Sequence, residues 1–279
     1  MGVGNITLET KCLFSAQRVP LPAAYEMTLQ PILKYSDDQL QIIGLEALST
    51  DKNRPGVSPE SYLKDLSARE MFEHDCNIFE QACAFSSQNT PKVLLNTPYI
   101  SVNLSAATLA NPHLINTLAS IMHEHRVSNE AINIEILEDS FPLADKGTIL
   151  DNIRKINEEI GLRIMIDDYG TGASNGARID ELSEHIYAVK IDKSLLDVGH
   201  LQFLRYDTRL KGRKLIIEGV EFDWQLAHIQ NNFDDRAAVQ GYGFHKPLSK
   251  QEAMITLSSA PDYWLDNQSA LTEQPVTSI

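Results

Sequence analysis

Cysteine is scarce in this chain: Cys12, Cys76 and Cys83 are the only three in 279 residues. None belongs to a CxxC pair, so no disulfide framework is expected and a reducing compartment is. Basic residues are also few, 24 against 38 acidic ones, for a net charge of −14. A surface of that sign repels phosphate backbones, which argues against duplex nucleic acid as a partner. A small anionic ligand stays compatible where metal ions or local cations neutralise it. No apolar run approaches the roughly 18–20 residues needed to cross a bilayer. The opening MGVGNITLETKC lacks the charged and then apolar stretches of a secretory signal. These absences predict a cytoplasmic protein that does not engage a membrane. What is present is ordinary globular composition, 43% hydrophobic and 22% charged, enough for a large core in one domain or at most two.

Eight short β-prone segments stand out, at 28–35, 41–48, 98–104, 131–137, 162–168, 186–191, 214–218 and 236–240. Helical spacing separates the later ones, over Leu114–His125, Gly147–Ile160, Phe222–Asn231 and Ser249–Leu257. The stretch 57–90 reads as one or two helices, with a proline near its start. Alternating strands and helices imply a parallel sheet, and eight strands at this length predict a (β/α)8 barrel. An open doubly wound sheet is the structural alternative. Only Ser36–Gln39 joins the first two strands. A parallel crossover needs about a dozen residues, so the connection must be a hairpin and the first strand antiparallel. The expected layout is a lead segment at 1–24, a barrel at 25–258 and a polar tail at 259–279.

Catalytic groups of a barrel project from the carboxyl ends of its strands. Those ends carry Glu46, Asn103, Glu135, Asp167 with Asp168, Lys190 with Asp192, Glu218 and Gln240. From Glu46 to Gln240 the steps are 57, 32, 32, 23, 28 and 22 residues, about one βα unit each after the first. In Ile132-Asn133-Ile134-Glu135-Ile136 the isoleucines face the helices, which turns Glu135 into the barrel mouth. Crowded carboxylates must take up protons or bind cations. Carboxylates plus an Asn amide oxygen are hard ligands suited to Mg²⁺ or Mn²⁺. Adjacent aspartates could serve two ions about 3.5–4 Å apart, a site for in-line phosphodiester hydrolysis. Rival signals are weak: His123-Glu124-His125 lacks HExxH spacing, and Cys76 and Cys83 share a helix face suited to the core.

Glu46-Ala47-Leu48, Asn103-Leu104-Ser105, Glu135-Ile136-Leu137-Glu138, Asp167-Asp168-Tyr169-Gly170-Thr171-Gly172, Lys190-Ile191-Asp192, Glu218-Gly219-Val220-Glu221 and Gln240-Gly241-Tyr242 follow one another in this order. The set resembles the EAL domain family of bacterial cyclic di-GMP phosphodiesterases. The resemblance implies a modified (β/α)8 barrel with an antiparallel first strand, hydrolysing cyclic di-GMP to linear pGpG with two Mg²⁺ or Mn²⁺ ions. By position, Glu46, Asn103, Glu135 and Asp167 resemble the ligands of a first metal, and Asp167 with Asp168 those of a second. Glu218 matches the carboxylate near the attacking water, and Lys190 the lysine on that water or a phosphate oxygen; which takes the proton stays open. Glu138 resembles a glutamate that positions the loop after Asp168. Gln30, Leu48, Asp192, Glu221 and Gln240 resemble ligand-contact or supporting positions.

Two departures from the family pattern bear on function. Thr50 stands where many active members carry a phosphate-binding arginine, leaving Lys52 or Arg54 as substitutes from the following loop. The run from Asp192 to Glu218 looks short where the family commonly builds dimer surface, and Ala173-Ser174-Asn175-Gly176 replaces the usual residues after the GTG turn. A homodimer and a regulatory protein partner are compatible expectations, and with only the lead segment before the barrel the chain reads as a stand-alone member. The competing functional reading is a catalytically silent domain acting as a cyclic di-GMP receptor or protein-binding module.

Overall fold

The computed structural model describes residues 25–36, 39–54, 56–89, 98–137, 141–170, 177–196, 198–233 and 237–258. The lead segment and the polar tail lie outside them, as do Glu138 and the stretch 171–176. Eight strands close into a barrel in sequence order: β1 Tyr25–Ser36, β2 Gln39–Asp51, β3 Tyr99–Leu104, β4 Ile132–Leu137, β5 Arg163–Tyr169, β6 Ile186–Ile191, β7 Lys214–Ile217 and β8 Ala237–Val239. Closure rules out the open doubly wound sheet. β1 runs antiparallel to β2, with Gln30 beside Glu46, and antiparallel to β8, with Leu33 beside Val239. All other pairings are parallel. The hairpin therefore gives the barrel its one reversed strand.

Helices clothe the outside, beginning with α1 Pro59–Leu63 and the long α2 Ala68–Asn89. Then come α3 Ala106–Leu109, α4 Leu114–His125, α5 Lys146–Lys155, α6 Ala177–Glu181, α7 Val198–Leu204, α8 Asp223–Phe233 and α9 Lys250–Ser258. The expected helix at 147–160 is divided: after α5 the chain widens into a π-turn at Ile156–Ile160 and stops at Gly161, whose φ is 82°. The short α3, α6 and α7 were not expected, because four to seven residues are too few for hydrophobic periodicity to register.

Strand alternation divides the core in two. Ile132, Ile134 and Ile136 of β4 and Ile164 and Ile166 of β5 pack outward against the helices. Between them Asn133, Glu135, Met165 and Asp167 point inward. The floor of the barrel is apolar, built from Ile32, Met165, Ala188, Ile216 and Ala238, with Tyr99 and Tyr187 against it. Gly44 makes room there, since a Cβ at that position would lie 2.5 Å from the Tyr99 ring. One step further along each strand the inward positions become polar.

Candidate active site

The polar layer is the site. Asn103, Glu135, Asp167, Lys190, Glu218 and Gln240 arise within two residues of the carboxyl ends of β3 to β8, and Glu46 lies inside β2, one residue before its pairing with β3 ends. Lys190, 1% exposed, occupies the centre. Its Nζ lies 2.8 Å from Glu135 Oε2, 2.8 Å from Glu218 Oε1, 2.9 Å from Asp167 Oδ1 and 3.2 Å from Glu46 Oε2. The Gln240 amide donates to Glu46 Oε2 at 2.7 Å, and the Asn103 amide to Glu46 Oε1 at 3.1 Å. Gln30 stands beside Glu46 in the hairpin and donates to the His245 carbonyl.

Burial and charge divide the carboxylates. Burial opposes ionisation of Glu46, but Lys190 and the amides of Gln240 and Asn103 outweigh it and hold this group below its ordinary value. Glu135, fully buried and beside Glu46, is pushed well above its ordinary value despite Lys190. Asp167 also rises, through burial that Lys190 only partly offsets. Burial raises Glu218 to about 8, and burial followed by repulsion from Asp167 raises Asp168 to about 6. Lys190 goes the other way: burial disfavours its charge, and four surrounding carboxylates over-compensate.

Asp168 reaches the site by a backbone device. Neighbouring residues of a regular strand face opposite ways. Here Asp168 adopts φ 56°, and the β5–β6 register shifts between Ile166 and Tyr169. The kink brings both aspartates to the mouth, where one oxygen from each of Asp167, Asp168 and Glu218 lies within 4.8 Å of the others. Glu46, Glu135 and Asp167 form a second such group. The residues fit a hard cation, because Asn103 Oδ1 and Glu135 Oε1 are buried acceptors with no hydrogen-bond donor among the described residues. A divalent ion would satisfy both.

Other expected positions fall around this centre. Asp192 caps the turn after β6, accepting from the Ser194 N–H at 2.8 Å. Leu48, two residues beyond Glu46, shares its face of β2 and is half-buried. Glu221 is exposed, its backbone N–H held by Gln225. Neither substitute for the arginine is free. Arg54 binds Asp51 at 2.7 Å and lies over the Tyr62 ring, and Lys52 pairs with Glu26 at 3.5 Å. Sequence reading missed the bond from the Tyr169 hydroxyl to Asp207 Oδ2, because nothing in spacing announces a contact across 38 residues.

A family model described as the EAL domain matches residues 23–247. The chain belongs to the EAL domain family. It is 31% identical to an uncharacterized signaling protein of Caulobacter vibrioides, over 84% of this chain and 28% of that protein. It is 28% identical to the cyclic di-GMP phosphodiesterase NbdA of Pseudomonas aeruginosa, over 80% of this chain and 29% of that one. The chain thus spans less than a third of the length of either relative. Among solved structures it resembles the manganese and cyclic di-GMP complex of BlrP1 from Klebsiella pneumoniae, with a TM-score of 0.64 and 20% identity, covering 83% of this chain and 58% of that one. That likeness shows the fold, the modified barrel of EAL domains. No helix among the described residues is long and apolar enough to cross a membrane.

Proposed function

We propose that this EAL domain hydrolyses cyclic di-GMP to linear pGpG at the mouth of the barrel, with Mg²⁺ or Mn²⁺ as cofactor. One observation carries the reading: carboxylates from β2, β4, β5 and the end of β7 converge, two buried oxygens of the cluster have no donor among the described residues, and all are hard donors. Relatives named as cyclic di-GMP phosphodiesterases support the substrate. Glu46, Asn103, Glu135 and Asp167 would hold one ion, and Asp167 with Asp168 a second. Bound there, the ions would lower the pKa of water and neutralise charge on the phosphate. Lys190 has only protons to donate and so directs its ammonium at a phosphate oxygen once the ions relieve its present ion pairs. Glu218 carries the oxygen able to accept the proton of the attacking water. Gln30 and Gln240 hold the rim around Glu46, with Leu48, Asp192 and Glu221 near the ligand and Glu138 positioning the loop after Asp168.

The proposal takes residues 25–258 as the catalytic barrel and places it in the cytoplasm, where Cys76 and Cys83, which form no disulfide, would stay reduced. Incubation with cyclic di-GMP and Mn²⁺, followed by chromatography, tests it. The expected product is pGpG, lost in Glu46→Ala and Asp167→Ala. Binding of cyclic di-GMP without pGpG over hours at micromolar protein would instead establish the silent-receptor reading.

A further inference from the structure

Beside the carboxylate ring lies a second polar chain that the proposed reaction does not use. Ser49 follows Glu46 by three residues on β2, and Ser105 follows Asn103 by two after β3. Between them stand His74 and Asp75 on α2, 3% and 5% exposed. Ser49 Oγ is 2.8 Å from His74 Nε2, and His74 Nδ1 is 3.0 Å from Asp75 Oδ1. The other oxygen, Asp75 Oδ2, accepts the Ser105 backbone N–H at 2.9 Å. The Tyr62 hydroxyl donates to the Ser49 carbonyl at 3.0 Å and lies 3.3 Å from its Oγ.

Asp75 faces the His74 ring through Oδ1 and accepts the Ser105 N–H through Oδ2, while the other ring nitrogen faces the Ser49 hydroxyl, so the ring bridges the two side chains. The single Tyr62 proton goes to the Ser49 carbonyl, and the Tyr62 oxygen lies against Ser49 Oγ. The distances match those of a serine–histidine–aspartate triad. Tyr62 stands 3.3 Å from Ser49 Oγ, and the Tyr25 and His74 rings pack nearly at right angles with centroids 4.9 Å apart. Such an arrangement holds atoms still and does not present a nucleophile.

What it holds is the rim. Backbone pairing of β2 with β3 ends at Ala47 beside Val102. Past that point the His74–Asp75 dyad links the two strands, immediately above Glu46 and Asn103. We propose that His74 is a positioning residue: through Ser49 on one side and Asp75 on the other, it fixes the separation of Glu46 and Asn103 and so their joint fit to a cation. The metal part of this inference rests on the proposed function. The clamp itself does not.

The test uses the full chain and its His74→Ala, Ser49→Ala and double variants, with Phe79→Leu as a control on the same helix, where Phe79 is fully buried. Hydrogen exchange without metal should show residues 47–51 exchanging about tenfold faster in both single variants. Calorimetric titration should show Mn²⁺ affinity falling by about 10- to 100-fold, as for other partners that orient metal ligands. The double variant should add little, since both changes cut one link. His74→Gln, whose amide reaches the Nε2 position, should recover part of the loss. Phe79→Leu should lower the melting temperature while leaving Mn²⁺ affinity unchanged. Unchanged exchange at 47–51 in His74→Ala would overturn the clamp, and equal loss of Mn²⁺ affinity in Phe79→Leu would overturn the positioning role. Failure of the unaltered chain to bind Mn²⁺ would instead refute the metal site, and the exchange result would still judge the clamp.

Discussion

One ammonium with three protons cannot satisfy four carboxylates fully, yet Lys190 lies within 3.2 Å of all four. In the metal-free protein it is the counter-ion of the site. Removing one partner of a buried ionic cluster typically costs about 3–5 kcal/mol. Lys190→Met should therefore melt well below the unaltered chain in chelator, and Mn²⁺ should recover most of the difference by supplying the missing charge. Equal melting temperatures in chelator would refute the counter-ion role. Thr50 carries a second residue-scale consequence. Its hydroxyl is 3.4 Å from that of Thr28, and Arg54 and Lys52 are held by Asp51 and Glu26. An arginine–phosphate contact is typically worth about 1.5–3 kcal/mol. Thr50→Arg should then lower KM for cyclic di-GMP by roughly 10- to 100-fold with a smaller change in kcat. Steady-state kinetics in one Mg²⁺ buffer would decide; an unchanged KM would mean that another group already holds that phosphate.

Among the elements, β5 departs from regular geometry at the mouth of the barrel. A non-glycine residue at φ 56° costs of order 1–3 kcal/mol and persists only where its surroundings impose it. Asp and Asn tolerate that region better than most residues. Asp168→Asn should therefore keep the kink and the fold, and its removal of one negative charge from a crowded mouth should hold or raise the melting temperature. Hydrolysis should fall by about 10²-fold or more, because a neutral amide is a poorer ligand and offers less charge to a second ion. A calorimetric scan beside a turnover assay would show both effects. Retained activity would remove Asp168 from the ligand set. The alternation in Ile132–Ile136 made the inward direction of Glu135 legible from sequence, because period-two patterning is local. The Asp168 kink was not legible, since Asp-Asp at the end of a strand reads as alternation until the backbone is seen.

The whole molecule should respond to pH through the same mouth. Glu218 and Asp168 are raised to about 8 and about 6, against ordinary values of 4.5 and 3.8. Between the ordinary and raised values the folded chain keeps protons that the unfolded chain has released, so raising the pH favours unfolding. In chelator the melting temperature should therefore fall as the pH is taken from 5 to 8. With Mn²⁺ bound, ligation keeps the carboxylates ionised and the fall should disappear or reverse. Parallel melts with and without metal would show it, and identical slopes would argue against cation binding at this site.

The sequence by itself determined the eight strands, the reversal of the first by its short hairpin, and the order of polar residues at the strand ends. Those features depend on local pattern and on chain length between neighbours. Tertiary structure alone decided that the sheet closes and that Lys190 stands among four carboxylates. It also decided that Arg54 turns to Asp51 and Tyr62, and that His74 and Asp75 join β2 to β3. The Lys190 cluster and the His74–Asp75 link set distances between residues far apart in sequence, and the Arg54 contacts, though local, depend on how the turn after β2 packs against Tyr62; no spacing along the chain encodes such distances.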